Sequence, residues 1–192
     1  MTENSPRVDL SRYTTGPDYA PGPLWRQAVW YLTSRLVFQT FLPWPSDWKA
    51  AVLRTFGATI GEGVVLKPQV RIKHPWFLVI GDHSWIGEDA WIDNVAPITI
   101  GSHVCLSQGT SLFTGNHDRT SPTFDLRLAP IEVEDGAWIG ARAIVCPGAR
   151  VKTHAMLNAG SVGKGELDAH GIYEGNPARR VGMREIRSRE TS

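Results

Sequence analysis

The feature that most constrains this sequence is a six-residue period that extends over about a hundred residues. An aliphatic side chain opens each unit, and a small residue usually holds the fifth position. Neither the 3.6-residue period of an α-helix nor the two-residue period of a strand produces this pattern. It predicts a triangular β-solenoid, in which each unit adds one short strand to one side of a prism and three units complete a coil. The opening residues are Ile60, Leu66, Ile72, Ile80, Ile86, Ile92, Ile100, Leu106, Leu112, Val133, Ile139, Val145, Val151 and Leu157.

Three insertions interrupt the period, and each follows the third unit of a coil. Two of them add two residues each, and the third adds fifteen residues between Leu112 and Val133. Because all three occur at the same point of a coil, they should leave the prism at one corner. The longest insertion, at about residues 115–130, is therefore predicted to be a loop extruded from the solenoid. Loops held on a rigid scaffold commonly carry functional residues.

We therefore expect an all-β fold, with one chain wound into a parallel β-helix of about five coils. Residues 25–41 and 46–56 are predicted to form two helices, the second with Ser46 as its N-cap. These helices would cap the open edge of the first coil. The expected divisions are an N-terminal arm with capping helices at 1–57, the solenoid at 58–165, and a C-terminal segment with a GNPA motif and a polar tail at 166–192.

Composition narrows the class of protein. Twenty basic residues stand against nineteen acidic ones, whereas a nucleic-acid-binding protein usually has a basic excess. Cys105 and Cys146 form no CxxC pair, so the sequence suits a reducing compartment and shows no cysteine ligand set for zinc. The first 22 residues contain no apolar run of the kind found in signal peptides. We expect a cytoplasmic protein, with peripheral contact at the inner face of the membrane through the aromatic-rich residues 24–48 as an alternative role for that segment.

Several segments resemble the left-handed β-helix acyltransferases of the hexapeptide-repeat family, and the resemblance covers roughly residues 24–182. The long loop carries TGNHD, a later coil carries AGS, and the C-terminal segment carries GNPA. This combination is more specific to acyl-CoA transferases than a hexapeptide repeat alone. RTFGATIGEGVVLKPQVRIKHPW, IGDHSWIGEDAWIDN and VEDGAWIGARAIVCPGARV are similar to the colanic-acid-type polysaccharide acetyltransferases within the family.

The resemblance implies a homotrimer with active sites in the clefts between neighbouring prisms. It implies acetyl-CoA as the donor, no metal, and an acceptor hydroxyl on a saccharide or a lipid-linked saccharide. It also implies the left-handed sense of the helix, which the period itself does not determine.

His117 is the predicted catalytic base. An acceptor hydroxyl is a weak nucleophile until a base removes its proton, and an imidazole suits that task near neutral pH. His117 lies at the mouth of the long loop, and the resemblance identifies it as the catalytic histidine. Asp93 and Asn94 follow Ile92, which should stack one coil away from Leu112, so both are expected close to this loop.

Four residues around the base are candidates for substrate binding: Asp93, Asn94, Asn116 and Asp118. Asp93 could bind sugar hydroxyls, orient an imidazole of a neighbouring subunit, or simply cap a corner of the solenoid. Asn116 and Asp118 could position the base or the acceptor, or could serve only to form a turn.

The donor-binding candidates come from the resemblance. The positions that match the family's groove for the pantetheine arm are Gly140, Ala141, Ala159, Gly160 and Ser161. Small residues there would let a ligand approach the backbone, although the hexapeptide rule alone also calls for small residues. Where many relatives have Thr-Lys, this chain has Gly-Lys-Gly, so Lys164, Arg179 and Arg180 are the candidates for contacts with the phosphates of coenzyme A.

Other functions of the same solenoid remain open. A zinc carbonic anhydrase would need three converging histidines, usually including a close pair, and we find no such pair in the sequence. His74, His83, His103, His154 and His170 are expected to have solvated or structural roles. A non-catalytic trimeric scaffold is a further alternative, and within acyl transfer the acceptor could instead be serine, an antibiotic or an amino sugar.

Overall fold

The computed structural model describes residues 7–187 and confirms the predicted solenoid, preceded by two helices. Residues 1–6 of the N-terminal arm and 188–192 of the polar tail lie outside this range. The helices are α1 (Leu24–Val37) and α2 (Ser46–Thr55), with short 3₁₀ turns at Leu10–Arg12 and Pro75–Phe77. The strands are β1 (Thr59–Ile60), β2 (Val65–Leu66), β3 (Arg71–Ile72), β4 (Leu78–Ile80), β5 (Trp85–Ile86), β6 (Trp91–Asp93), β7 (Ile98–Ile100), β8 (Cys105–Leu106), β9 (Ser111–Phe113), β10 (Gly115–His117), β11 (Leu126–Leu128), β12 (Ile131–Val133), β13 (Trp138–Ile139), β14 (Ile144–Val145), β15 (Arg150–Val151), β16 (Met156–Leu157), β17 (Val162–Gly163), β18 (Glu166–Leu167), β19 (Gly171–Gly175) and β20 (Ala178–Met183).

The strands form the three faces of a prism. Face A has the order β1-β4-β7-β12-β15-β18, face B has β2-β5-β8-β13-β16-β19, and face C has β3-β6-β9-β14-β17. All neighbours within these sets are parallel. Five complete coils and a partial sixth result, in agreement with the expected number.

The register confirms which residues the period predicted to stack. On face C, Ile72 pairs with Ile92, Ile92 with Leu112, and Leu112 with Val145. The aliphatic residues that open the units are at most 7% exposed and form one continuous core. The sequence period and the core are therefore the same feature.

The two helices cap the first coil, as predicted. Along the strands, backbone N–H groups of one coil donate to carbonyls of the next coil, as when Gly61 N–H donates to Ile80 O. The strand carbonyls of the first coil therefore have no preceding strand to donate to them, and helix side chains take that place. Trp30 Nε1 donates to Ile72 O at 3.0 Å, and the guanidinium of Arg54 donates to Ile60 O at 2.9 and 3.0 Å.

Lys49, which like Arg54 belongs to α2, caps a third set of first-coil carbonyls. The ammonium of Lys49, 1% exposed, donates to the carbonyls of Leu66 and Lys67. Burial, with a contribution from Lys67, lowers the pKa of Lys49 to about 8. Ser46 does not act as the predicted N-cap, because Pro45 holds that position and the Ser46 hydroxyl instead accepts from Leu66 N–H at 3.0 Å.

The side of α1 that faces away from the first coil is exposed and apolar. Trp25, Val29, Leu32 and Leu36 follow helical spacing and are 47–72% exposed. Phe41 continues this surface beyond the helix at 84% exposed. Within residues 7–187 no helix is both long and apolar enough to cross a membrane.

Two hairpins complete the fold. The long insertion forms an antiparallel hairpin of β10 and β11, which leaves the prism at the corner between faces C and A. At the other end, β20 folds back antiparallel onto β19 and extends face B.

Candidate active site

The extruded hairpin fixes the position of His117, the last residue of β10. His117 pairs with Leu126 across the hairpin, and its ring stacks on that of Phe124 at 4.4 Å between centroids. Nδ1 of His117 lies 2.9 Å from the carbonyl oxygen of Phe124. Because a carbonyl can only accept, Nδ1 carries the proton, and in the neutral ring Nε2 keeps a free lone pair.

Phe124 takes an unusual backbone conformation to make these contacts. Its φ is +56°, a region that bulky residues rarely enter. Its N–H donates to Ser121 O at 3.1 Å, and its carbonyl faces the imidazole. Strained backbone of this kind persists where the surrounding structure holds it, and it concentrates at functional sites.

Asp118 is part of the framework of the hairpin. Its carboxylate accepts from the N–H and hydroxyl of Thr120 at 2.9 and 2.6 Å and pairs with Arg127 on the opposite strand. The Thr120 hydroxyl and the Arg127 guanidinium hold the pKa of Asp118 well below its usual value. Asn116 also makes a local contact, accepting from His117 N–H at 2.8 Å. Both residues therefore stabilise the hairpin around His117 through local contacts.

A polar cavity of about 310 Å³ lies beside His117. Three parts of the chain line it: the solenoid, the loop and the N-terminal arm. The lining residues are Tyr13, Thr15, Tyr19, Lys73, Asp93, Val95, Gly115, His117 and Leu126. The cavity brings the predicted base together with Asp93 but not with the other candidates.

Asp93 and Asn94 have different surroundings, although they are adjacent. Asp93 pairs with Phe113 in the register, as predicted, and its carboxylate lies 3.1 Å from Lys73 Nζ at the cavity wall. Asn94 is fully buried, and its amide donates to the carbonyl and accepts from the N–H of His74. The expected substrate contact of Asn94 is therefore replaced by a structural one.

The donor-binding candidates lie mainly at another corner. Ala141, Ala159 and Gly160 are at the corner between faces B and C, at the opposite end of face C from the loop. Ala159 and Gly160 are exposed, and no atom lies within 4 Å of where a side chain of Gly160 would begin. These residues form an open strip of accessible backbone that fits a slender ligand such as a pantetheine arm.

Two other members of that set have structural roles instead. Gly140 is buried, and a Cβ there would lie 2.5 Å from Ala159 N, so the close approach of the next coil requires glycine. Ser161 is 2% exposed, and its hydroxyl accepts from Gly175 N–H at 3.0 Å.

The basic candidates are dispersed. Lys164 is exposed at the same corner as the extruded loop, two coils farther along. Arg179 and Arg180 are exposed on β20, and Arg180 lies 3.5 Å from Asp168. In one protomer these cations do not converge on a single anion site.

Four of the other five histidines form two pairs that were not expected. His83 stacks on His103 at 5.3 Å between ring centroids, and His154 lies 5.0 Å from His170. They occupy equivalent corner positions of successive coils, a relation that the twenty-residue spacing of His83 and His103 could have indicated. The expectation of no close histidine pair was thus wrong. Within residues 7–187, however, no group of three or more His, Cys, Asp or Glu residues is placed to hold a metal ion.

Three groups in the cavity wall went unrecognised in the sequence: Tyr13, Tyr19 and Lys73. The arm that carries the tyrosines has no period, so nothing in the pattern placed it against the loop. Lys73 directly follows Ile72, and the stacking of Ile72 on Ile92 could have placed it beside Asp93.

Comparison with known proteins identifies the family, although no protein-family model matches the chain. WcaF of Escherichia coli K12, named for acetyl transfer in colanic acid biosynthesis, is 33% identical over 170 residues, or 88% of this chain and 93% of its own. Nodulation protein L of Rhizobium leguminosarum is 32% identical over 135 residues, which cover 69% of this chain and 70% of that protein.

Solved structures agree on the fold. A hexapeptide-repeat acetyltransferase from Vibrio cholerae superimposes with a TM-score of 0.77 and 22% identity, covering 85% of this chain and 93% of the other. A galactoside acetyltransferase in complex with coenzyme A gives 0.75 and 19% identity, with 86% and 84% covered. The prism is thus the left-handed parallel β-helix of these proteins, and the chain belongs to the hexapeptide-repeat acetyltransferase family.

Proposed function

We propose that this protein transfers an acetyl group from acetyl-CoA to a hydroxyl of a saccharide, with His117 as the general base. The hydrogen bond from His117 Nδ1 to Phe124 O carries this proposal, because it reserves Nε2 for the proton of the acceptor hydroxyl. The same bond and the stacked Phe124 ring keep the imidazole from turning away from the cavity.

The donor is the thioester, which is already activated, so the chain has mainly to bind and orient it. Ala141, Ala159 and Gly160 provide the open backbone along which the pantetheine arm would lie. Lys164, Arg179 and Arg180 are the cations that could meet the phosphates. Relatives support this choice of donor, since solved neighbours of this fold include complexes with acetyl-CoA and with coenzyme A.

We propose that the working unit is a homotrimer. The base and the open backbone lie at opposite ends of face C, so one protomer does not bring them together. A neighbouring copy could supply the second corner. Face B has an outer row suited to an interface: Val65, Trp85, Cys105, Trp138, Met156 and Ile172.

The acceptor in this proposal is a saccharide, and a lipid-linked saccharide fits a second cavity as well. A largely apolar groove of about 660 Å³ runs between α1 and face C and shares Lys73 and Asp93 with the polar cavity. A sugar beside His117 could therefore extend an apolar tail toward α1. Peripheral contact of the exposed side of α1 with a membrane would bring the site to such an acceptor, at the cytoplasmic face if the free thiols of Cys105 and Cys146 reflect the compartment.

Thiol release from acetyl-CoA, measured over a panel of methyl glycosides, tests the proposal. His117→Ala should lower turnover by about 10² or more, within the range of general-base contributions. The matched control is His170→Ala, a corner histidine remote from the loop, which should keep wild-type turnover. Unchanged turnover in His117→Ala would remove the imidazole from the mechanism. Serine, an aminoglycoside antibiotic and an amino sugar are added to the panel, and faster thiol release with one of them than with every glycoside would favour that acceptor instead.

A further inference from the structure

The N-terminal arm closes the outer side of the candidate site. At one end, Asp9 N–H donates to Pro122 O, at the tip of the catalytic loop, at 2.7 Å. At the other end, the Tyr19 hydroxyl lies 3.0 Å from Nε2 of the buried His74. Between these anchors the arm crosses the cavity and contributes Tyr13 and Thr15 to its wall.

A local turn aims Tyr13 at the catalytic imidazole. The carboxylate of Asp9 accepts from the N–H and hydroxyl of Ser11 at 3.1 and 2.6 Å, and Tyr13 N–H donates to Leu10 O at 3.1 Å. The Tyr13 ring then meets the His117 ring edge-on, at 5.7 Å between centroids and 61° between planes. The arm is thus built to present this ring, although no repeat specifies it.

The chemistry of the cavity matches a single sugar ring. Its volume of about 310 Å³ lies at the lower end of the usual range for ligand pockets, roughly 300–1,000 Å³. Asp93 can accept and Lys73 can donate hydrogen bonds along the hydroxyl rim of a pyranose. An aromatic ring offers a flat apolar surface to the C–H face of the sugar and has few torsions to immobilise.

We propose that Tyr13 is a specificity-determining residue, which provides the aromatic wall of an acceptor subsite for one pyranose ring. This inference rests on the proposed transfer to a saccharide and adds the arm to the acceptor site. Tyr13 acts through its ring on the acceptor, and proton removal remains with His117. Truncating the ring should weaken acceptor binding and leave the donor side unchanged.

The test compares Tyr13→Ala, Tyr13→Phe and Leu10→Ala in the full chain, with methyl glycosides of glucose, galactose and N-acetylglucosamine as probes. For the best of these acceptors, Tyr13→Ala should raise the KM about tenfold, a size consistent with losing an aromatic contact. The KM for acetyl-CoA and the kcat at saturating acceptor should stay within twofold. Tyr13→Phe keeps the ring and should behave like wild type. Leu10→Ala, in the same turn but outside the cavity, is the matched control.

Binding measured without turnover separates this inference from the proposed function. Saturation-transfer NMR of the best-bound methyl glycoside should show magnetisation transfer to its ring C–H protons in wild type and Tyr13→Phe, and a clear loss in Tyr13→Ala. That loss would support the subsite even if His117→Ala left turnover unchanged. A fall in kcat with unchanged acceptor KM would overturn it, because Tyr13 would then only hold the imidazole. Equal binding by wild type and Tyr13→Ala would overturn it as well.

Discussion

His117 and His74 show how the surroundings of an imidazole decide its use. His117 is half-buried, with Nδ1 engaged by a carbonyl and a polar cavity beside it. His74 is 4% exposed, stacks on Trp76 at 5.0 Å, and has backbone groups bonded to the Asn94 amide. Burial, with the nearby charge of Lys73, lowers the pKa of His74 to about 4. His74 is therefore neutral at ordinary pH and acts as an anchor for Tyr19.

The depressed pKa of His74 predicts a pH dependence of stability. The unfolded chain, with a histidine pKa near 6.5, binds this proton before the folded chain does, so stability is full above about pH 6.5 and falls as the pH drops toward 4. Between pH 7 and pH 5 the free energy of unfolding of the wild type should fall by on the order of 1–2 kcal/mol more than that of His74→Gln. Urea denaturation of both proteins at the two pH values measures the difference. Parallel losses would contradict the assignment.

At the site, sequence and structure agree where the repeat applies and diverge where it stops. The six-residue period predicts that Asp93 lies beside the extruded loop, and the pairing of Asp93 with Phe113 agrees. Asn94 departs from the predicted substrate contact because strand alternation continues past Ile92. With Ile92 inward and Asp93 at the wall, Asn94 turns inward again, as period-two geometry requires. Tyr13 could not be placed in this way, because its position depends on contacts between an irregular arm and a loop.

At the scale of elements, the helices are explained by what the first coil lacks. A parallel solenoid leaves one row of carbonyls unpaired at its first edge, and an unpaired polar group costs free energy when it is buried. The sequence predicted that two helices would cover this edge. Which side chains would reach its carbonyls was not predictable, because that depends on the angle at which each helix crosses the coil.

The cap makes a testable contribution to stability. Arg54→Met keeps most of the side-chain length but removes the hydrogen bonds to the carbonyls of Ile60 and Gly61, so the free energy of unfolding should fall by about 1–2 kcal/mol. The matched control is Arg35→Met on α1, whose guanidinium donates hydrogen bonds only to Tyr31 of its own helix among the described residues and caps no carbonyl. Chemical denaturation should give a change within about 0.5 kcal/mol for the control. Equal effects of the two substitutions would mean that the cap bonds add nothing.

At the scale of the molecule, the outer surface of face A carries charged side chains, whereas the exposed side of α1 is apolar. The outer row of face A includes Glu132, paired with Arg150, which suits contact with water. The apolar side of α1 has no such groups along Trp25, Val29 and Leu32, and it is exposed. A contiguous apolar surface of this kind usually marks a contact with a partner or a membrane.

The proposed membrane contact predicts flotation with vesicles. Full-length protein should float with liposomes that contain anionic lipid, because Trp25 and its neighbours enter the interface. Leu32→Ser combined with Leu36→Ser should abolish flotation, since both side chains are more than 60% exposed and their loss disturbs no core contact. Val79→Ser, on face A, is the control and should float like wild type. Wild-type protein that stays in the dense fraction would exclude this surface as a membrane contact.

His117 and the open backbone around Ala159 lie at opposite ends of face C, and this separation predicts how the subunits share an active site. If each active site takes His117 from one protomer and the open backbone from its neighbour, two different inactive variants should restore each other in mixed trimers. His117→Ala removes the base, and Ala159→Trp blocks the exposed backbone without entering the core.

With random mixing of equal amounts, about a quarter of the interfaces would combine an intact His117 with an intact Ala159, so the mixture should regain about a quarter of wild-type activity. The measurement is thiol release after co-refolding, with each variant refolded alone as the control. A mixture no more active than its components would show that both halves of the site come from one chain. The distance along face C would then have to be spanned by the donor itself.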